Sequence, residues 1–204
     1  MMFIKNGCNM ENKILIIGSG LSANDASLYD LNKFIVVAVN NGYLATDYWK
    51  YWVRTGDFQG QIPILKPNQT EIRYLEYSKA LQPYGGENVC GLSIMLNASY
   101  WAMENLNPNE MYYLGADMNY SPDEKGNTHI YGVGYDIKTR KESDPDYMVR
   151  KYGKGDSDYL KNIYNRFYNI AFKKGIFLYN LSKIENTRLP YPKIENQKRL
   201  ELLK

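Results

Sequence analysis

The sequence is poor in the side chains that carry most enzymatic chemistry. It holds one histidine, His129, and two cysteines, Cys8 and Cys90. Two isolated cysteines give neither a disulfide framework nor a metal-ligand spacing, so both are read as reduced thiols. One histidine without paired cysteines argues against a zinc site, and no metal is expected. An excess of one charge is missing too: 25 Lys and Arg face 22 Asp and Glu, for a net charge of +3. Nucleic-acid binders usually show a clustered basic excess, so composition does not single out a nucleic-acid partner, although nucleic acid as the acceptor of a reaction stays open. The slight positive balance suits an anionic small molecule. Long apolar runs are also absent. Residues 14–17 and 34–39 are strand-sized, far short of the roughly 20 residues of a membrane helix. Residues 1–12 lack the apolar core of a secretory signal. The expectation is a cytoplasmic protein without a transmembrane segment, and no stretch announces an oligomer interface.

What is present fits one domain. A chain of 204 residues, 44% apolar and 23% charged, is long enough to bury a core without staples. Tyrosine is frequent, with 20 copies; an AT-rich coding sequence accounts for most of that, and a few of them can line a sugar or base site. Residues 1–11 read as a flexible tail, 12–192 as the α/β domain and 193–204 as a basic tail able to form an amphipathic turn or two.

Periodicity supplies the elements. Residues 13–18 form a short β-branched run stopping at Gly18, which reads as a buried parallel strand. A short helix is expected over 22–31, with Ser22 or Asn24 as its N-cap. A second buried strand over 33–40 ends at Asn40-Asn41-Gly42, a loop signal. Residues 44–53 are aromatic and amphipathic, 54–58 end a third element, and 61–65 read as a further strand. Leu92, Met95, Leu96, Tyr100 and Met103 lie on one helical face within 91–106. A strand over 110–114 stops at Gly115, and a long polar loop runs from 116 to about 158. A second strong helix over 158–174 is capped by Gly175, and a last strand covers 176–180. Strands alternating with helices argue for a mostly parallel sheet flanked by helices, Rossmann-like, with ligands beyond the carboxyl ends of its strands. The loops at Gly18, Asn40 and Gly115 should therefore meet on one edge of the sheet.

Several motifs on that edge carry chemistry. Gly18-Ser19-Gly20-Leu21-Ser22 joins a strand to a helix, a context in which glycines let backbone approach a phosphate. A plain strand–helix connection needs the same glycines for geometry. Gly18-x-Gly20-x-x-Ala23 also fits the loose dinucleotide fingerprint, but the second strand ends in Asn40-Asn41 and not in the carboxylate that holds the NAD ribose. An amide can instead bind a ribose or base edge, which favours a mononucleotide or nucleotide-sugar. His129 stands in the polar loop as the candidate general acid or base, since imidazole titrates near neutrality. Asp117, after the fourth strand run, can orient His129, contact ribose, hold magnesium or cap its own loop. Asp144-Pro145-Asp146 and Asp156-Ser157-Asp158 spell the acidic triplet of metal-dependent glycosyltransferases, but such triplets arise by chance in polar loops. Asp156 or Ser157 also suits the cap of the next helix. Arg188 can pair with a phosphate or a sugar carboxylate, or close the domain at the surface.

Taken in order, these pieces resemble a family. Ile16-Ile17-Gly18-Ser19-Gly20-Leu21-Ser22, then Val39-Asn40-Asn41, Cys90-Gly91 before a helix, Tyr112-Tyr113-Leu114-Gly115-Ala116-Asp117-Met118-Asn119-Tyr120 and His129-Ile130-Tyr131-Gly132 span most of residues 13–192. The set is similar to the bacterial sialyltransferases of glycosyltransferase family 42 and their small phage and polysaccharide-locus relatives. The resemblance implies a GT-A variant fold and metal-independent transfer. It implies no cofactor beyond the nucleotide-sugar donor, and a hydroxyl acceptor on a glycan or other molecule. It places Gly18, Ser19, Gly20, Ser22, Asn40, Asn41, Gly91, Gly115, Asp117 and Tyr120 around the nucleotide. It makes His129 the general base, and it gives Tyr120 and Tyr131 hydrogen bonds to the leaving phosphate. A more distant similarity to archaeal pterin pyrophosphokinase-like proteins implies magnesium, ATP and pyrophosphoryl transfer instead. A nucleotide-binding protein without catalysis is the third reading.

Overall fold

The computed structural model describes residues 12–91, 93–118, 123–125, 127, 129–131 and 159–204. Six strands form one sheet: β1 (Lys13–Ile17), β2 (Ile35–Val39), β3 (Tyr51–Val53), β4 (Thr70–Ile72), β5 (Glu110–Leu114) and β6 (Phe177–Asn180). Their order is β4-β3-β2-β1-β5-β6 and every pairing is parallel. Successive side chains alternate between two cores. Ile14, Ile16, Val37, Val39, Met111 and Tyr113 point into one; Leu15, Ile17, Val36, Ala38, Tyr112 and Leu114 point into the other. Burial on both faces is why the central strands read as unbroken apolar runs. The architecture is the expected single-domain, Rossmann-like α/β fold.

The two faces are covered by different means. One carries α1 (Tyr74–Leu81), α2 (Ile94–Leu106) and α3 (Tyr159–Lys173). Their buried stripes include Leu81 on α1, Leu96, Tyr100 and Met103 on α2, and Ile163, Phe167 and Ala171 on α3. Asn107 ends α2 and Gly175 follows α3, both at positive φ. The other face has no α-helix in the crossovers between β1 and β4. The helix expected over 22–31 is instead a 3₁₀ helix over Leu21–Leu28, followed by a short one over Leu31–Lys33. Neither Ser22 nor Asn24 caps it; Gly20 stands at the cap position. Ser, Asn and Asp are weak α-formers, and only the small Ser22, Ala23 and Ala26 of the segment are buried, so a tight 3₁₀ path fits against the sheet.

The C-terminal segment completes this thinner face. Ile194 and, in α4 (Asn196–Leu202), Leu202 are buried in the same core as Leu15 and Tyr112. Asp30 N donates to Leu202 O, Lys33 Nζ to Glu201 O and Leu203 O, and Arg199 to Tyr29 Oη and Leu181 O. Lys198 bonds Glu110 and the Tyr179 hydroxyl. The body of the protein therefore continues past 192, and the segment read as a basic tail is structural, with Lys198 and Arg199 consumed inside the molecule. Two further differences concern the β3–β4 region. Residues 61–65 are not a strand: Ile64 is 96% exposed and the run is interrupted by Pro63, which has no donor for a ladder. β4 lies beyond it at Thr70–Ile72. α1, which the apolar pattern does not announce, is held at its start by Arg73 N donating to Glu76 Oε2. No helix among the described residues is long and apolar enough to cross a membrane.

Candidate functional site

β1 lies between β2 and β5, so the connections leaving the carboxyl ends of β1 and β5 diverge to opposite faces, which makes this edge the topological switch point of the sheet. Three of the expected loops meet there. A Cβ added to Gly18 would lie 2.4 Å from Gly115 O, and one added to Gly115 (φ +65°) would lie 2.4 Å from Gly18 O. The loops are stitched by Gly18 N donating to Leu114 O (2.8 Å) and Gly20 N to Gly115 O (2.9 Å). The turn after β2, a 3₁₀ helix over Asn40–Ala45, presses on the same edge, with the Gly42 Cβ position 2.1 Å from Ile17 O.

Asp117 is the centre of this assembly. It is 2% exposed; its Oδ2 accepts from Ser22 N at 2.9 Å, and its Oδ1 has no hydrogen-bond partner among the described residues. Ser22 reciprocates through Oγ, which accepts from Gly115 N at 2.7 Å. The Asp117 carbonyl accepts from Arg188 N (2.9 Å) and Thr187 Oγ1 (3.0 Å). The carboxylate thus sits in the first turn of the Leu21–Leu28 helix, where backbone N–H groups attract an anion. The amides of Gly18, Gly20 and Ser22 are engaged with the chain's own oxygens. Next to it, Met118 adopts φ +51°, unusual for a non-glycine residue and a conformation that collects at functional loops.

His129 is brought to this turn across the length of the domain. It forms an isolated antiparallel bridge with Gly20, and Ile130 N donates to Ser19 O at 3.0 Å. Its ring stacks on Tyr131, with centroids 4.9 Å apart and planes 20° apart. His129 therefore sits against the glycine turn, with Tyr131 stacked on its ring.

The two asparagines divide their duties. Asn40 (φ +47°) shapes the loop after β3: its carbonyl accepts from Trp52 Nε1 (2.8 Å) and its Oδ1 from Thr55 N (3.1 Å). Asn41 is buried, with an Oδ1 that lacks a partner among the described residues. Gly91 (φ +53°) is packed against Ile163, whose Cδ1 lies 2.2 Å from its Cβ position. The left-handed backbone by itself favours glycine at this position. Tyr120 and both Asp-x-Asp triplets lie outside the described residues.

The structure adds residues that spacing did not reveal. Ser93 is the N-cap residue of α2, but its Oγ pairs with Tyr164 Oη at 2.8 Å and not with the helix. Met95 Sδ lies 3.1 Å from the Gly18 Cβ position, so the first turn of α2 abuts the glycine turn. A serine ahead of an apolar helical stripe is a legible start signal; Tyr164, Thr187 and Arg188 reach the area only through folding. Cys90, just ahead of α2, is a buried free thiol, and burial pushes it up to about 12, which suppresses the thiolate. Among the described residues no three His, Cys, Asp or Glu side chains come together as metal ligands.

Chemically, the edge offers two buried acceptor oxygens, Asp117 Oδ1 and Asn41 Oδ1, that want donors. Leaving such groups unpaired costs about 1–3 kcal/mol each. Hydroxyls and exocyclic amines are the donors that match. No family model, curated protein or solved structure matches the chain.

Proposed function

We propose that this chain is a glycosyltransferase moving a sugar, sialic acid or a related one, from a nucleotide-sugar to an acceptor hydroxyl. The observation that carries the reading is the bridge that locks the sequence's only histidine, His129, against Gly20 at the switch point. In this scheme Asp117 Oδ1 and Asn41 Oδ1 accept from ribose hydroxyls or a base amine. The first turn of α2 faces the phosphate. His129 takes the proton of the acceptor hydroxyl as its oxygen attacks the sugar's anomeric carbon, and the bond from that carbon to the phosphate oxygen breaks. The Tyr131 hydroxyl donates to the departing phosphate, so the charge is met by hydrogen bonds and not by a metal.

A second reading, nucleotide binding without transfer, is favoured by the engagement of the Gly18, Gly20 and Ser22 amides with the chain's own oxygens. The two separate in one experiment. A thermal-shift panel of CMP, UDP, GDP, ATP and NAD identifies the nucleotide, since a ligand of the folded state raises Tm with concentration. The matching nucleotide-sugars then serve as donors. For His129→Ala we expect nucleotide affinity within about twofold of wild type and transfer reduced by about 10²-fold or more. A panel in which no nucleotide raises Tm overturns both readings. Unchanged turnover in His129→Ala overturns the mechanism. Binding without transfer for any donor selects the second reading.

A further inference from the structure

We propose a second ligand site at the amino ends of β2, β3 and β4, the edge opposite the glycine turn, which takes a ring-sized organic monoanion. It does not depend on the glycosyl-transfer reading. A cavity of about 420 Å³ opens there between the segments that lead into these three strands. That volume falls in the range of small-molecule sites. It exists because the β2–β3 and β3–β4 crossovers carry no α-helix, so this corner of the sheet lacks the cover that α1 to α3 give the other face.

The walls are built before any ligand arrives. Gln69 is buried and ties the two passes of chain together: its Nε2 donates to Asp47 O (3.2 Å) and Trp49 O (3.1 Å), and its Oε1 accepts from Lys66 N (3.0 Å). Lys50 N donates to Val36 O and Thr70 N to Lys50 O, both at 2.9 Å, which seats the same segments on the sheet. A wall fixed in this way does not lose backbone freedom on binding.

The lining sets the ligand class. Tyr48, half exposed, supplies most of the aromatic surface, with the buried Phe34 and Trp49 contributing only their edges. The lining includes two lysines, Lys50 and Lys66, and one aspartate, Asp47, a formal balance of one positive charge. Neither cation is strongly held. Lys66 Nζ is 3.8 Å from an Asp47 carboxylate that is almost fully exposed, and Lys50 Nζ rests 5.5 Å above the Tyr51 ring with no carboxylate partner among the described residues. Long lysine stems can swing such ammonium groups onto an incoming acid. Asn68 adds an amide with no hydrogen bond of its own among the described residues, able to donate and accept. A planar or chair-shaped ring bearing one carboxylate satisfies all three features. Such a ring comes from two sources, an acidic sugar or an aromatic acid.

The test is a ¹H–¹⁵N titration of the full chain with glucuronate and with benzoate, each beside its neutral counterpart, glucose or benzyl alcohol. We expect one of the acids to shift the amides of residues 47–50 and 66–69 saturably, with its neutral counterpart at least about tenfold weaker. Which acid does so identifies the source. A Lys50→Met, Lys66→Met double variant should keep its Tm, because both side chains are exposed. It should bind the acid about tenfold or more weakly, with the amide spectrum away from residues 47–50 and 66–69 as in wild type. The proposal is overturned if neither acid gives saturable shifts in these segments up to about 10 mM, where even millimolar affinity registers. It is equally overturned if the neutral counterpart binds as well, or if the double variant retains full affinity.

Discussion

Replacing Gly18 by alanine tests the central contact of the site. The new methyl would lie 2.4 Å from Gly115 O and 3.1 Å from Met95 Sδ. An ordinary carbon–oxygen contact is about 3.3–3.6 Å, so the two loops must part by about 1 Å. Met95 can repack, but Gly115 O is backbone and cannot move alone. It accepts from Gly20 N, and the neighbouring Gly18 N bonds Leu114 O. Overpacking of this kind costs about 1–3 kcal/mol, and weakening either loop bond adds up to about 1 kcal/mol. A loss of about 3 kcal/mol in a domain of this size lowers Tm by about 6–12 °C. Thermal unfolding followed by circular dichroism reads it directly. Gly56→Ala is the control: nothing lies within 4 Å of its Cβ position and its φ is not in the left-handed range. It should be neutral or slightly stabilising, by up to about 1 kcal/mol through the unfolded chain. If Gly18→Ala melts within about 2 °C of wild type, which is under about 1 kcal/mol here, the close apposition of the two loops is refuted.

Other consequences follow from the packing. Deleting residues 193–204 removes the buried Ile194 and Leu202 and the bonds of Lys198 and Arg199. At about 1.5–3 kcal/mol per buried aliphatic side chain, that is a large part of a domain's stability. The truncated chain should be insoluble or unfolded, and a cooperative melt near the wild-type Tm would contradict the structure. In a Cys8→Ser background, Cys90 should react with a thiol reagent at least about 10²-fold more slowly in the native protein than in denaturant, because its thiol is buried and its ionisation suppressed. Glu104 has its pKa lowered: burial works in the opposite direction, but hydrogen bonds from the Tyr84 hydroxyl and Lys174 prevail. A depressed carboxyl contributes stability that is present above its unfolded pKa, about 4.3, and lost as pH falls through its folded value. The stability gap between wild type and Glu104→Gln, no more than about 1 kcal/mol for so exposed a pair, should therefore be constant above pH 5 or so and close in acid. A gap that widens on acidification would reverse the assignment.

The central strands and the long helices were legible because their burial repeats at short range. β1, β2 and β5 are runs in which the last four residues are all buried, and the stripes of α2 and α3 recur at helical spacing. The apolar run at 61–65 looked the same locally, yet Ile64 faces water, because burial depends on what the chain returns to cover. The crossover after β1 and the segment after 192 are illegible locally for the same reason: each packs against the other, through Asp30 to Leu202 and Lys204 to Leu28.

The candidate site divides along the same line. The sequence by itself determined that glycine turns end the strands of a parallel sheet, and that Asn40, Asn41, Asp117 and His129 lie in loops leaving them. Tertiary structure alone decided what those residues face. It engaged Asn40 in the β3 loop and left the Asn41 oxygen without a partner among the described residues; it also set Asp117 into the turn and bridged His129 to Gly20. Local periodicity records which residues are buried. Which donor meets which acceptor is settled by contacts about a hundred residues apart along the chain, and no local pattern encodes those.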